Sequence, residues 1–177
     1  MSLRSLRHLF EPERILWVGS PGEPPRWAQI AEANLWDAGF KRPIRALRST
    51  GRAPAEACLE TLAGLAPEPR LAVVCLPQAD LTARAAARAH GLRLIGPDRV
   101  GVIVPGWHLN TGSAAIMPPP GDLAFVTQSD SIATAMLEWA AARKIGFSRI
   151  ASVGELAEVE LGDILDYLPW TSRPGPS

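Results

Sequence analysis

Residues 96–106, GPDRVGVIVPG, and residues 117–168, MPPPGDLAFVTQSDSIATAMLEWAAARKIGFSRIASVGELAEVELGDILDYL, decide the fold. The first reads as a short apolar strand closed by proline and glycine. The second alternates: DLAFVT (122–127) is a strand, 129–144 a helix, FSRIASV (147–153) a strand and 161–168 a helix. Short β-branched and apolar runs bounded by turn residues favour strands, while apolar residues at three- and four-residue spacing favour helices. A βαβα run of this kind opens a doubly wound domain and leaves its sheet incomplete, so only half of a strand-end crevice is expected from it. Across the junction of the two pieces, 107–121 carries Pro118, Pro119 and Pro120 in a row and is the expected linker.

Working outward toward the N-terminus, the same alternation repeats. Leu3, Leu6, Leu9 and Phe10 share one face of a short helix that Pro12 ends. RILWVG (14–19) is a strand, 26–39 a helix stopped by Gly39, PIRAL (43–47) a strand and 55–65 a helix. RLAVVCLP (70–77) is the strongest strand, apolar enough to be covered on both faces as in a parallel sheet. An alanine-rich helix follows over 78–90, then a strand at 92–97. The reading is an α/β chain: a Rossmann-like domain over 1–106 with a mostly parallel sheet, a linker over 107–121, an incomplete βαβα segment over 122–168, and a disordered tail over 169–177.

Composition excludes several classes. Eighteen basic residues balance eighteen acidic ones, which gives no global attraction to nucleic acid or to an anionic membrane. No apolar stretch approaches the roughly 20 residues of a membrane span. Cys58 and Cys75 match no metal-ligand or disulfide spacing. These features fit a cytoplasmic protein without a metal.

Two loops could carry chemistry. Gly19-Ser20-Pro21-Gly22 lies between the first strand and the first long helix. Glycine lets a ligand approach the backbone there, and the free N–H groups of a following helix suit a phosphate. The alternative is a plain strand–helix turn, since the third glycine of a dinucleotide fingerprint is lacking and Pro24 and Pro25 remove two donors. Gln128-Ser129-Asp130-Ser131 holds the second such position, where a serine or aspartate first of all caps the helix. His8, His90 and His108 form no triad pattern with it. Arg42, Arg45, Arg48 and Arg52 are either a solvated face or a phosphate site. Glu155, Glu158, Glu160, Asp163 and Asp166 read as a solvated helix start.

RILWVGSPG, LAVVCLP, GLRLIGPDRVGVI and the stretch from Gly121 to Leu168 together resemble the NDP-forming acyl-CoA synthetases, relatives of the succinyl-CoA synthetase α subunit. The same module is fused to acetyltransferase domains in some bacterial protein acetyltransferases. The resemblance implies a CoA-binding domain followed by a flavodoxin-like domain, with a separate ATP-grasp unit binding the nucleotide. It implies that Gly19, Ser20, Pro21 and Gly22 lie near the CoA phosphates and Leu76 and Pro77 beside the adenine or pantetheine. Arg45 or Arg48 would stand in for the family's missing Asn-Pro-Lys piece as a phosphate partner.

Departures from the family pattern set the expected function. The family's SQSGA loop reads Ser129-Asp130-Ser131 after Gln128, and its GPN motif reads Gly96-Pro97-Asp98. A βα unit is missing between Pro77 and His90, and no phosphohistidine segment is expected. The first reading is therefore a divergent CoA- or acyl-CoA-binding module that does not perform acid–CoA ligation alone. The second is a noncatalytic interaction or regulatory protein that keeps the fold without the ligand. The third is one subunit of a split synthetase completed by an ATP-grasp partner chain. The open edge of strands 122–127 and 147–153 is expected to dock on the first domain or on a second copy of the chain.

Overall fold

A computed structural model describes residues 3–19, 24–48, 71–75, 92–95, 100–152 and 161–168. The expected helices over 55–65 and 78–90 and the tail over 169–177 lie outside these residues. In chain order the elements are α1 (Leu3–Phe10), β1 (Ile15–Gly19), α2 (Arg26–Asp37), β2 (Ile44–Arg48), β3 (Leu71–Cys75), β4 (Arg93–Ile95), β5 (Val102–Val104), a 3-10 turn (Pro105–Trp107), β6 (Leu109–Asn110), β7 (Pro120–Thr127), α3 (Asp130–Ala142), β8 (Phe147–Ser152) and α4 (Leu161–Tyr167).

The first sheet has the order β2-β1-β3-β4, and its pairs are all parallel. Every residue of β1 is buried, as are Leu71, Ala72 and Val73 of β3, in keeping with a sheet covered on both faces. On α2, Ala28, Ala31 and Leu35 form the buried stripe. Leu6, Leu9 and Phe10 of α1 join them in one core.

The second sheet is mixed, with the order β6-β5-β8-β7. β7 and β8 are parallel, as a βαβ unit requires, while β5 runs antiparallel to both β8 and β6. β5 falls in the expected first domain, yet Val102 and Ile103 pair with Ala151 and Ile150. The expected boundary at 106 thus lies within this sheet. A three-residue strand carries too little pattern to announce its partner. β5 also covers the inner edge of β8, which leaves β7 as an outer strand.

The segment 107–121 is packed rather than loose. Leu109, Asn110, Thr111 and Ala114 are buried. Asn110 donates to the carbonyl of Ala114 at 3.1 Å and accepts from the Gly112 amide at 3.1 Å. Asn34 of α2 donates to the carbonyls of Gly112 and Ala114 at 2.7 and 2.8 Å. Thr111 Oγ1 accepts from the Val102 amide at 2.9 Å and donates to the Val102 carbonyl at 3.0 Å. Gly101 enters this strand at φ +66°, and a Cβ there would stand 2.8 Å from Thr111 Oγ1. Thr111→Val keeps the volume and strands a buried N–H, so chemical denaturation should show a loss of about 2 kcal/mol.

The two sheets share one core. Val102, Val104, Leu109, Ala151, Ile164 and Tyr167 of the second unit belong to the same buried cluster as Ile15, Trp17 and Leu71 of the first. Arg149 of β8, nearly fully buried, donates to Glu11 Oε1 at 3.0 Å. Phe10 and Tyr167 stack with centroids 5.5 Å apart.

Burial raises the pKa of Tyr167 above 10.0, and Glu11 adds to the rise against the opposing pull of Arg149 and Arg7. Tyr167 is the chain's one tyrosine, so phenolate absorbance reports it alone. Below pH 10 both folded and unfolded states keep the proton. Above it the unfolded state loses the proton first, and this contribution to stability falls as pH rises. A folded-state phenolate midpoint at or below 10.0 contradicts this packing.

Candidate functional site

The order β2-β1-β3-β4 makes a topological switch point between β1 and β3, because β1 is followed by β2 on one side and β3 by β4 on the other. In open α/β sheets the ligand crevice lies outside the carboxyl ends of the strands at such a point. Register brings three strand ends level there: Gly19 pairs with Arg48 of β2 on one side and with Cys75 of β3 on the other. The backbones of Gly19 and Arg48, predicted site residues distant in sequence, are thereby adjacent. Cys75 directly precedes the predicted Leu76 and Pro77. Ser20, Pro21, Gly22, Leu76 and Pro77 themselves lie outside the described residues.

Gly19 has a packing role the sequence reading missed. Side chains two apart on a strand share a face, and Trp17 folds its six-membered ring over Gly19. A Cβ on Gly19 would lie 1.9 Å from Trp17 Cη2. The indole is buried and meets Trp36 of α2 edge to face at 5.7 Å. A tryptophan two places before a strand-ending glycine was the available signal.

Arg42 belongs to packing. Its guanidinium donates to the Pro12 carbonyl at 3.1 Å and lies 3.9 Å from the Trp107 ring centre. Gln29, Glu32, Ala33, Trp36 and Asp37 line a cavity of about 360 Å³ along α2. Two carboxylates make that cavity a poor seat for a diphosphate.

The second strand-end position lies where Thr127 of β7 pairs with Ser152 of β8 and α3 begins. Ser129 caps α3, accepting from the Ile132 amide at 3.4 Å. Asp130 Oδ1 accepts from the Val100 amide at 3.0 Å and from Ser152 Oγ at 2.5 Å. The aspartate therefore joins the start of α3 to β5 and β8. His108, exposed and left-handed at φ 53°, closes the turn before β6. Among the described residues no group of three or more His, Cys, Asp or Glu side chains is arranged to hold a metal ion, and no helix is long and apolar enough to cross a membrane.

Residues 120–172, from β7 through α4, match the succinyl-CoA ligase like flavodoxin domain. The chain is 33% identical over 81 residues to an ADP-forming acetate–CoA ligase of Methanocaldococcus jannaschii, a match spanning 46% of this chain and 12% of that protein. It is 35% identical over 81 residues to the α subunit of ADP-forming acetate–CoA ligase I of Pyrococcus furiosus, spanning 46% of this chain and 18% of that subunit. The chain is a relative of the NDP-forming acyl-CoA synthetases.

The fold of this synthetase relative extends the likeness to its first sheet. A dinucleotide-forming acetyl-coenzyme A synthetase from Ca. Korarchaeum cryptofilum, solved with phosphate and ADP, superposes with a TM-score of 0.69 at 23% identity, over 92% of this chain and 42% of that one. A protein of Pyrococcus horikoshii superposes with a TM-score of 0.71 at 20% identity, over 94% of this chain and 46% of that one. The synthetase-like chain thus spans less than half the length of these structures, and its matches to the curated relatives span less than a fifth of theirs.

Proposed function

We propose that this chain is a cytoplasmic CoA- or acyl-CoA-binding module, corresponding to the α region of an NDP-forming acyl-CoA synthetase and acting with a ligase partner chain or a second copy of itself. The observation that carries this reading is the level alignment of Gly19, Arg48 and Cys75 at a parallel-sheet switch point. In it, Gly19, Ser20, Pro21 and Gly22 form the turn that faces the diphosphate. Arg48 supplies positive charge, and Leu76 and Pro77 border the adenine or pantetheine. The chemistry would be binding and presentation of the thioester carrier, because Asp130 brings a carboxylate to the second strand-end position, where it opposes an incoming phosphoryl group.

Thermal melting with CoA, acetyl-CoA and nucleotide tests the proposal. At a hundredfold excess over the dissociation constant, CoA should add about 2.7 kcal/mol of stability. Gly22→Asp should remove that gain, read as the CoA-induced shift relative to the variant's own unliganded melt. If none of these compounds shifts the melt, the noncatalytic reading replaces this one. That second reading draws on Trp17, whose ring already covers one side of Gly19.

A further inference from the structure

We propose that α3 and the open edge of β7 form a two-fold docking surface for a second copy of this chain, with β7 pairing antiparallel to its mate and the two α3 helices side by side on one face of the joined sheet. This commits the partner named above to a second copy and stands whether or not CoA binds. Among the described residues β8 is the one strand paired with β7. Such an edge turns unpaired N–H and C=O groups outward and invites another strand. Pro120 and the register shifts around Leu123 spoil its first half, which leaves 124–127 as the regular stretch. The other edge of this sheet, β6, is two buried residues long. It is too short to receive β7 head to tail, so a like chain extends this sheet through its own β7.

α3 packs over β7 and β8 with Ala133, Leu137 and Ala140 buried. It also carries a second apolar stripe. Ile132 and Trp139 are 56% and 48% exposed, and Met136 lies half-buried between them. Of the five exposed large apolar side chains among the described residues, three (Leu123, Ile132 and Trp139) sit on β7 or α3, so the exposure is concentrated rather than scattered. Asp130 marks the flank of α3 that faces β5 and β8, through its bonds to the Val100 amide and Ser152 Oγ. At about 100° per residue, Ile132 and Trp139 stand roughly 160–180° round the helix from Asp130. The stripe therefore overhangs the open edge of β7.

Neighbouring strands lie about 4.8 Å apart. With each α3 seated over its own β7 and β8, a two-fold axis through the β7 pair sets the helices two strand spacings apart, about 9.6 Å, within the range of packed helices. The middle of 124–127 and the midpoint of Ile132 and Trp139 both lie about 5–8 Å below the β7–α3 turn, so one axis passes through both. Across it Ile132 meets Trp139 of the partner subunit, with Ala135 and Met136 at the crossing. The stripe is thus in register with itself when reversed, as a two-fold contact requires. Charge agrees with this. Eighteen basic residues balance eighteen acidic ones, so two copies do not repel as wholes. The antiparallel arrangement also keeps the two Arg143 positions about 22 Å apart. β7 and α3 hold eight and thirteen residues, of which only the outward ones touch. A standard interface uses about 20–30 residues a side, so this dimer is weak, with a dissociation constant on the order of 10–100 µM.

Sedimentation equilibrium of the full chain without CoA, from about 1 to 500 µM, tests this. The mass should rise from 19.0 kDa to twice that value and stop, because a two-fold contact closes. Ile132→Glu and Trp139→Glu should each weaken association about tenfold or more. Leu165→Glu, at an exposed position on α4, should leave it unchanged. Amide exchange in the wild type should slow at 124–127 as concentration rises, with β1 and β3 unaffected. A chain that stays at 19.0 kDa throughout overturns the proposal and leaves the surface to a different protein. A dimer indifferent to both substitutions, growth past the dimer, or concentration-dependent protection that omits 124–127 overturns it too. If either variant fails to fold, the wild-type mass and exchange pattern decide.

Discussion

Gly19→Ala should lower stability by about 3 kcal/mol, at the upper end of what overpacking a core costs. The added methyl would stand 1.9 Å from Trp17 Cη2 and 2.1 Å from Cζ3. Trp17 cannot swing clear easily, because its ring is buried and backed by Trp36. For a chain of this length the loss appears as a fall of roughly 6–12 °C in the melting midpoint. Trp17→Leu alone should cost about 3 kcal/mol through the cavity it leaves. The double variant is the informative one. With the indole gone the alanine has room, so Trp17→Leu/Gly19→Ala should be more stable than the sum of the single losses by about 2 kcal/mol. Additive losses would mean that the indole is not what excludes a side chain at Gly19. A Gly19→Ala protein that melts normally yet fails to respond to CoA would assign the glycine to ligand approach instead.

Removing Glu11 should be the other large loss. Removing one member of a buried ion pair typically costs about 3–5 kcal/mol. Glu11 is 18% exposed and Arg149 8%, so Glu11→Ala belongs at the lower end, about 3 kcal/mol. Replacing both members with apolar groups of similar length, Glu11→Leu/Arg149→Met, should recover most of that loss, because neither charge then has to be kept from water. Urea denaturation of the two variants measures this directly. A double variant as weak as Glu11→Ala would show that the pair's hydrogen bonds, rather than the desolvation of its charges, set its contribution.

The element order was legible because its signals are local. The Leu6, Leu9 and Phe10 stripe of α1 and the apolar runs ILWVG and LAVVC each depend on neighbours within a few residues. α1, β1 and β3 accordingly appear within a residue or two of their expected bounds. The strand-end position of Gly19 follows from the same pattern. Ser129 behaves as the cap its position announces.

Pairing was not legible in this way. VIV at 102–104 is too short to carry a preference for parallel or antiparallel neighbours, and its place beside β8 depends on residues almost fifty positions away. The proline- and glycine-rich stretch 107–121 reads as a linker by composition. Asn34, Asn110 and Thr111 nonetheless satisfy its backbone and bury it. A turn-rich composition shows only that a segment avoids regular structure. Whether it is also packed depends on partners that composition does not reveal.

By itself the sequence determined the alternation of strands and helices, the α/β class and the synthetase-like resemblance, since all three rest on residue order. Tertiary structure decided that β5 belongs to the second sheet, that Trp17 explains the glycine beneath it, and that Glu11 finds Arg149 138 residues away. Those outcomes depend on which surfaces meet once the chain is compact, and free energies of contact between distant residues leave no periodic trace in the order of the amino acids.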